Sequence, residues 1–368
     1  MYGRLLYRPE RKAVICKDAE PEPDAQPVDP RGAGVRNLYG SRHKGGFVPG
    51  EAPYYLEITS PEQRQEILRQ LARQKPLTVQ GHPADDRTLA LSIRNNLAEN
   101  WTGTLQADGG PTVQLTLRPR ELRELKLPLA APLPAAGREL ELVFRPSAGS
   151  ETRTRITVPP MLDIRPLGGL DWKTVPFDRL SPQIVLDERN QIQPPDPFIS
   201  WRGPEDLSAR LFLAWDRNGL YLLAEVRDDQ FEQPFSGAEI WRGDSMQFAF
   251  DCGNDARPRS GYDGNDCEFG AAFGRSPWCW QAVAGLESGD AAGRLETAVT
   301  REDGKILYRV RIPWSELAPL GPRPGGIAGF NAVFHDRDDG VANYFAALSP
   351  GLSPFKNPSL FRRIRLTE

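Results

Sequence analysis

The chain has 368 residues, with 46 Lys and Arg against 49 Asp and Glu and a formal net charge of −3. It therefore has no overall basic field to hold a phosphate backbone, and nucleic acid is not an expected partner. The 34 glycines, 35 prolines and 39% hydrophobic residues fit many short strands and turns, and the length suggests two or three domains at roughly 100 to 200 residues each. No window approaches about 18 consecutive apolar residues, so no membrane-spanning helix is expected. The opening Met1 to Glu10 lacks the long apolar core of a signal peptide. The four cysteines, Cys16, Cys252, Cys267 and Cys279, show no CxxC spacing, which argues against structural zinc. The three histidines, His43, His82 and His335, belong to no metal motif and read as surface or packing residues.

Residues 1–75 read as short strands, Arg4 to Tyr7, Ala13 to Cys16 and Tyr54 to Ile58, around an exposed Pro- and Asp-rich loop from Asp18 to Pro30. Ser60, Pro61 and Gln63 then form a capping-box signature ahead of Ile67, Leu68 and Leu71, which predicts a helix over 61–74. From 76 to 160 the pattern becomes alternating: Leu89, Leu91, Ile93; Val113, Leu115, Leu117; Leu140, Leu142, Phe144. Turn signals at Asn95-Asn96 and Asp108-Gly109-Gly110-Pro111 separate the runs. This predicts an immunoglobulin-like β-sandwich, with the Asn-rich turn as an edge loop and Trp101 as a core anchor. The last segment, 162–368, continues in strands. Its clearest hairpin is Arg210 to Trp215 and Leu220 to Val226 around Asn218-Gly219. The chain is thus expected to be all-β, with one helix and a two-sheet C-terminal sandwich.

That segment contains Gly169-Leu170-Asp171-Trp172, Leu213-Ala214-Trp215-Asp216, Trp241-Arg242-Gly243-Asp244-Ser245-Met246-Gln247, Gly261-Tyr262 to Phe269, Gly329-Phe330-Asn331 with Asp336-Arg337-Asp338, and Asn357-Pro358-Ser359-Leu360-Phe361. In order and spacing it resembles the family 9 carbohydrate-binding modules, β-sandwich domains found attached to xylanases and other glycoside hydrolases. The resemblance implies a sugar held between two aromatic rings, Trp241 and Phe355, because a pyranose packs its C–H faces on rings and its hydroxyls need fixed polar partners. The family's carboxylate on the strand after the tryptophan falls on Gln247, its arginine near Gly270 and its closing-loop asparagine near Leu352, so the polar rim departs from the pattern. Trp172, Trp215 and Trp314 are expected to pack. Trp278 and Trp280, two residues apart on one strand face, could add an aromatic platform or a buried face.

Asp251, Asn254, Asp255, Asp263 and Asp266 gather oxygen donors suited to structural calcium, which related modules carry. Cys252 and Cys267 bracket that acidic loop and could pair as a disulfide or remain thiols. Residues 31–58 resemble the strand-rich appendage that trails the catalytic barrel in some glycoside hydrolases. The resulting expectation is non-catalytic binding of an oligo- or polysaccharide, outside the cytoplasm (extracellular or periplasmic), beside a catalytic glycoside hydrolase domain or subunit, with neither haem nor nucleotide. Three alternatives stand beside it: an interaction module with a decayed sugar site, a glycosidase using Asp228, Asp229, Glu239 or Asp244, and a haem carrier ligated by Met246 and His335, as in electron-transfer relatives of the sandwich.

Overall fold

The computed structural model describes residues 5–8, 12–15, 28–29, 34–37, 42–43, 54–193, 201–257 and 261–368. Cys16 and most of the loop expected from Asp18 to Pro30 lie outside the described residues. The described chain divides into two compact units: Met1–Gly81, Ala90–Leu127 and Glu141–Thr154 form one, and His82–Leu89, Pro128–Leu140 and Arg155–Glu368 the other.

The described structure is all-β apart from one α-helix and a few 3-10 turns. Strands β1 (Leu5–Arg8), β2 (Lys12–Ile15), β3 (Gly34–Asn37), β4 (Arg42–His43) and β5 (Tyr54–Glu57) make one sheet in the order β1-β2-β5-β3-β4. Helix α1 (Pro61–Gln74) follows, and Ser60 Oγ accepts from Gln63 N at 3.1 Å as its N-cap. Gln63 Oε1 reaches back one residue further than the capping box requires, to Thr59 N at 2.8 Å. Ile67 is the fully buried anchor of the helix.

Strands β6 (Leu77–Asp85), β7 (Thr88–Asn95), β8 (Trp101–Ala107), β9 (Val113–Leu117), β10 (Leu122–Pro128), β11 (Arg138–Pro146) and β12 (Thr152–Val158) form two sheets, β10-β7-β6 and β12-β11-β8-β9. Trp101 is buried edge-on against Phe144, with ring centroids 6.2 Å apart. Asn95 is buried as well, and its Nδ2 donates to Glu99 O at 2.8 Å and Arg118 O at 2.9 Å, so this residue closes a turn from inside.

From Met161 onward, all within the second unit, the strands are β13 (Met161–Ile164), β14 (Ile184–Leu186), β15 (Ile192–Gln193), β16 (Leu207–Asp216), β17 (Gly219–Asp228), β18 (Ser245–Asp251) and β19 (Asp266–Ala271). They continue with β20 (Trp278–Gln281), β21 (Gly289–Asp290), β22 (Glu296–Glu302), β23 (Lys305–Pro313), β24 (Ile327–Asp338), β25 (Val341–Ala347) and β26 (Arg362–Leu366). One sheet runs β14-β16-β17-β23-β22. The other runs β13-β26-β24-β18-β19-β20-β21, with β25 pairing both β24 and β15.

The β16–β17 hairpin closes between Asp216 and Gly219, where Asp216 Oδ1 accepts from Asn218 N at 2.7 Å. Between the two sheets lies one apolar core that takes Leu211, Leu213, Leu222 and Tyr308 from the first sheet and Met246, Phe248, Phe269, Phe330 and Phe334 from the second. Trp215 is tied into this core by its Nε1, which donates to Ile164 O at 3.1 Å, and Trp314 packs edge-on against it.

Candidate functional site

Side chains alternate along a strand, so β18 has two faces. Met246, Phe248 and Phe250 enter the core, while Ser245, Gln247, Ala249 and Asp251 take the other side. Register then fixes the neighbours on that outer face. Gln247 stands opposite Gly270 of β19 and Val333 of β24, Ala249 opposite Glu268 and Asn331, and Ser245 opposite His335.

These residues form a connected polar floor. Gln247 Nε2 donates to Glu268 Oε1, and Gln247 Oε1 lies 2.8 Å from His335 Nε2. An amide oxygen only accepts, so His335 carries its proton on Nε2. Burial, with Lys356 nearby, holds the imidazole far below its ordinary value, at about 3, and it stays neutral. Glu268 is 1% exposed. Lys356 Nζ donates to Glu268 Oε1 at 2.8 Å and to Leu352 O at 2.8 Å, arriving from the segment between β25 and the 3-10 turn Pro358–Leu360. Asn331 secures the start of that segment, its Nδ2 donating to Ser349 O at 2.9 Å and Pro350 O at 3.1 Å.

Of the two expected rings, Trp241 borders this floor. Trp241 sits in a 3-10 turn, Gly237–Arg242; it is 43% exposed, with its ring centroid 6.2 Å from that of His335. Phe355 is 65% exposed and immediately precedes Lys356. Contacts thus run without a break from Trp241 through His335, Gln247 and Glu268 to Lys356. Of these, Glu268 and Lys356 were not anticipated as site residues, and His335 only as a haem ligand.

Trp278 and Trp280 lie against the turn that carries Trp241. Trp280 Nε1 donates to Ala238 O at 2.9 Å. A Cβ built on Gly270 would lie 2.5 Å from Trp280 Cη2 and 2.8 Å from Ile240 Cδ1, so the indole fills the space that any larger residue at 270 would need. A Cβ on Gly237 would meet Trp278 Cζ3 at 3.6 Å. Leu352, where the resemblance asks for asparagine, is buried with Ala249, Val333 and Phe361, and contributes only its carbonyl to the floor.

The five residues expected to hold calcium serve largely as turn closures. Asp251 accepts from Asp255 N at 3.2 Å and Ala256 N at 3.3 Å, Asp266 from Asp263 N at 2.6 Å, and Asp263 from Asn265 N at 2.9 Å. Asp255 Oδ1 accepts from Asn265 Nδ2 at 3.2 Å, and Asn254 Nδ2 donates to Pro83 O at 2.6 Å. Asn254 Oδ1 and Asp266 Oδ1 are buried without a hydrogen-bond partner, and burial raises Asp266 to about 7.

A tighter gathering of carboxylates lies elsewhere in the same unit. Oxygens of Asp228, Asp336 and Asp338 come within 4.8 Å of one another, as do those of Asp206, Asp229 and Asp338. Both oxygens of Asp336 are buried without a donor, and burial together with Asp338 raises this acid to about 8. Asp228 is raised to about 7 and Asp244 to about 9, each chiefly by burial. Met246 lies in the core while His335 is on the opposite face of the sheet, so the two cannot ligate one haem from its two sides. Cys252 Sγ and Cys267 Sγ face each other at 3.9 Å as free, buried thiols.

A two-sheet sandwich with a polar floor on one outer face, bordered by the exposed ring of Trp241, defines the C-terminal unit as a β-sandwich module of the ligand-binding kind. Residues 195–368 match the profile described as carbohydrate family 9 binding domain-like. Over 167 residues the chain is 24% identical to endo-1,4-beta-xylanase A of Thermotoga neapolitana, a match covering 44% of this chain and 14% of that enzyme. The same enzyme of Thermotoga maritima is 26% identical, again over 44% of this chain and 14% of the enzyme. The chain therefore spans about one seventh of the length of the curated relatives it matches. Among solved structures, a family 9 carbohydrate-binding module from Caldicellulosiruptor kristjanssonii in complex with cellotriose is 20% identical with a TM-score of 0.39, covering 56% of this chain and 93% of that one. A module of the same family and organism in complex with glucose is 22% identical with a TM-score of 0.37, over 46% and 84% of the two chains.

Proposed function

We propose that the C-terminal sandwich binds a saccharide without catalysing its hydrolysis, as an accessory part of a carbohydrate-active protein. The carrying observation is the unbroken series of contacts from the exposed ring of Trp241 across His335, Gln247 and Glu268 to Lys356, whose neighbour in sequence, Phe355, is itself exposed. Rings at the border offer faces for pyranose C–H groups, and the polar floor orients hydroxyls. Calorimetric titration of glucose, cellobiose and xylobiose into wild type and Trp241→Ala tests this reading. Loss of binding by at least about tenfold in the variant supports it. A folded wild type that binds none of them would favour an interaction module with a decayed sugar site.

The match to xylanases supports association with a glycoside hydrolase domain or subunit, and a glycan outside the cell is the natural target. No described helix is long and apolar enough to cross a membrane. The strand orders β10-β7-β6 and β12-β11-β8-β9 support an immunoglobulin-like spacer ahead of the binding domain.

Structural calcium is part of the same proposal. The acidic loop of Asp251, Asn254, Asp255, Asp263 and Asp266 offers two unpartnered oxygens, on Asn254 and Asp266. The set of Asp228, Asp336 and Asp338 is favoured over it, because three buried carboxylates converge there and Asp336 has no donor for either oxygen. A rise in melting temperature with calcium over EDTA that disappears in Asp336→Asn would support that seat. A rise that survives Asp336→Asn and disappears in Asp266→Asn would move the ion to the loop.

A further inference from the structure

We infer that Lys356 is the charge-assisted donor of the sugar site, and that its pairing with Glu268 selects an uncharged pyranose over an anionic one. This rests on the saccharide-binding reading above and names the ligand class for it. The cation cannot come from β19 beside Gln247, because Gly270 lies under the Trp280 indole with no room even for a Cβ. It comes from the closing segment instead. Lys356 Nζ reaches Glu268 Oε1 and Leu352 O, each at 2.8 Å. These two acceptors engage two of the three ammonium protons, and the third remains for a ligand oxygen. The lysine side chain is 37% exposed while Glu268 is 1% exposed, so the ammonium is the part of this pair that a ligand can touch.

Charge decides the ligand class. Glu268 neutralises Lys356, Gln247 carries no charge, and His335 is neutral through burial, so the floor has no net positive charge with which to attract a carboxylate. A hydroxyl oxygen can still accept a strong hydrogen bond from the ammonium. A uronate would bring its own negative charge close to the buried Glu268. Phe355 and Lys356 are adjacent in sequence, so one segment delivers both a ring and the donor.

The test titrates glucose and glucuronate into wild type, Trp241→Ala, Lys356→Arg, Lys356→Gln and the double variant Lys356→Gln/Glu268→Gln. The double variant removes the buried carboxylate that Lys356→Gln alone would leave unpaired, so it keeps the fold while lacking the donor. Glucose affinity should fall about tenfold or more in both glutamine variants at position 356 and stay within about threefold in Lys356→Arg. Glucuronate should bind wild type more weakly than glucose. A wild type that binds neither sugar overturns the saccharide-binding reading itself. Suppose instead that wild type binds glucose and Trp241→Ala does not. Glucose binding as tight in the double variant as in wild type would then show that Lys356 only satisfies Glu268, and would overturn its assignment as donor. Tighter binding of glucuronate than of glucose would overturn the ligand class.

Discussion

The two outer faces of the C-terminal sandwich are built by the same alternation and end up with opposite chemistry. On the five-stranded sheet, Phe212, Tyr221, Leu223 and Leu307 point outward and are sealed under Trp172, Val175 and Phe177. Rings pack there, Phe177 edge-on against Phe212 at 5.4 Å and Trp172 tilted against Tyr221 at 5.7 Å, and a largely apolar pocket of about 140 Å³ is lined by Leu167, Leu170 and Val175 among others. On the other sheet the outward positions hold Gln247, Glu268, Asn331 and His335, covered by a segment that brings a lysine rather than a tryptophan. The first face is closed by hydrophobic burial. The second is held by hydrogen bonds among its polar groups, with Glu268 Oε2 left buried and unpartnered, and the Trp241 ring stands exposed at its border. Most buried polar groups in proteins are paired, and a hydrogen-bonded set beside an exposed ring suits a ligand with many hydroxyls.

Breaking the apolar face should cost the most stability and leave binding alone. Phe212→Ala should lower the unfolding free energy by about 3 to 5 kcal/mol, read by urea denaturation, with glucose affinity unchanged. On the polar face, Gln247→Ala takes the acceptor from His335 and a donor from Glu268. It should cost about 1 to 3 kcal/mol of stability and lower affinity together with it, a coupling that the apolar face lacks.

His335 sharpens the contrast through pH. Its folded value of about 3 lies below the ordinary histidine value near 6.5, so below pH 6.5 the unfolded chain takes up a proton that the folded chain refuses. The stability it contributes is complete above that pH and is lost as pH falls toward 3, at about 1.4 kcal/mol per pH unit. Comparing urea midpoints at pH 7.5 and 5.5 should therefore show a smaller acid loss in His335→Gln than in wild type. The smallest effect on stability is expected at the border, where Phe355→Ala should change it by less than about 0.5 kcal/mol while weakening sugar binding by about 0.5 to 1.5 kcal/mol, measured by calorimetry.

How much of this could be read from the linear chain depended on whether the signal was local. The cap at Ser60 and the reversal at Asp216 to Gly219 each depend on residues close in sequence, and each was legible. Glu268 was not, because it ends an acidic run and reads as one more loop oxygen until strand pairing sets it opposite Ala249. Lys356 resembles any surface lysine, and only the return of its segment across β18 and β19 brings it to a buried carboxylate 88 residues away. Gly270 read as a lost donor, whereas the structure shows a glycine required by the indole above it. The acids told the same story: linear density pointed to residues 251–268, while Asp228, Asp336 and Asp338 converge from two strands far apart in sequence.

The comparison between the two faces is tested most directly by following the amide and indole resonances of the ¹⁵N-labelled protein as cellobiose is added. The account predicts shifts at the Trp241 indole N–H and at the amides of residues 349–357, with the Trp172 indole and the amides of residues 170–180 unmoved. Shifts centred on Trp172, Val175 and Phe177, with Trp241 silent, would place the ligand on the apolar face and contradict it.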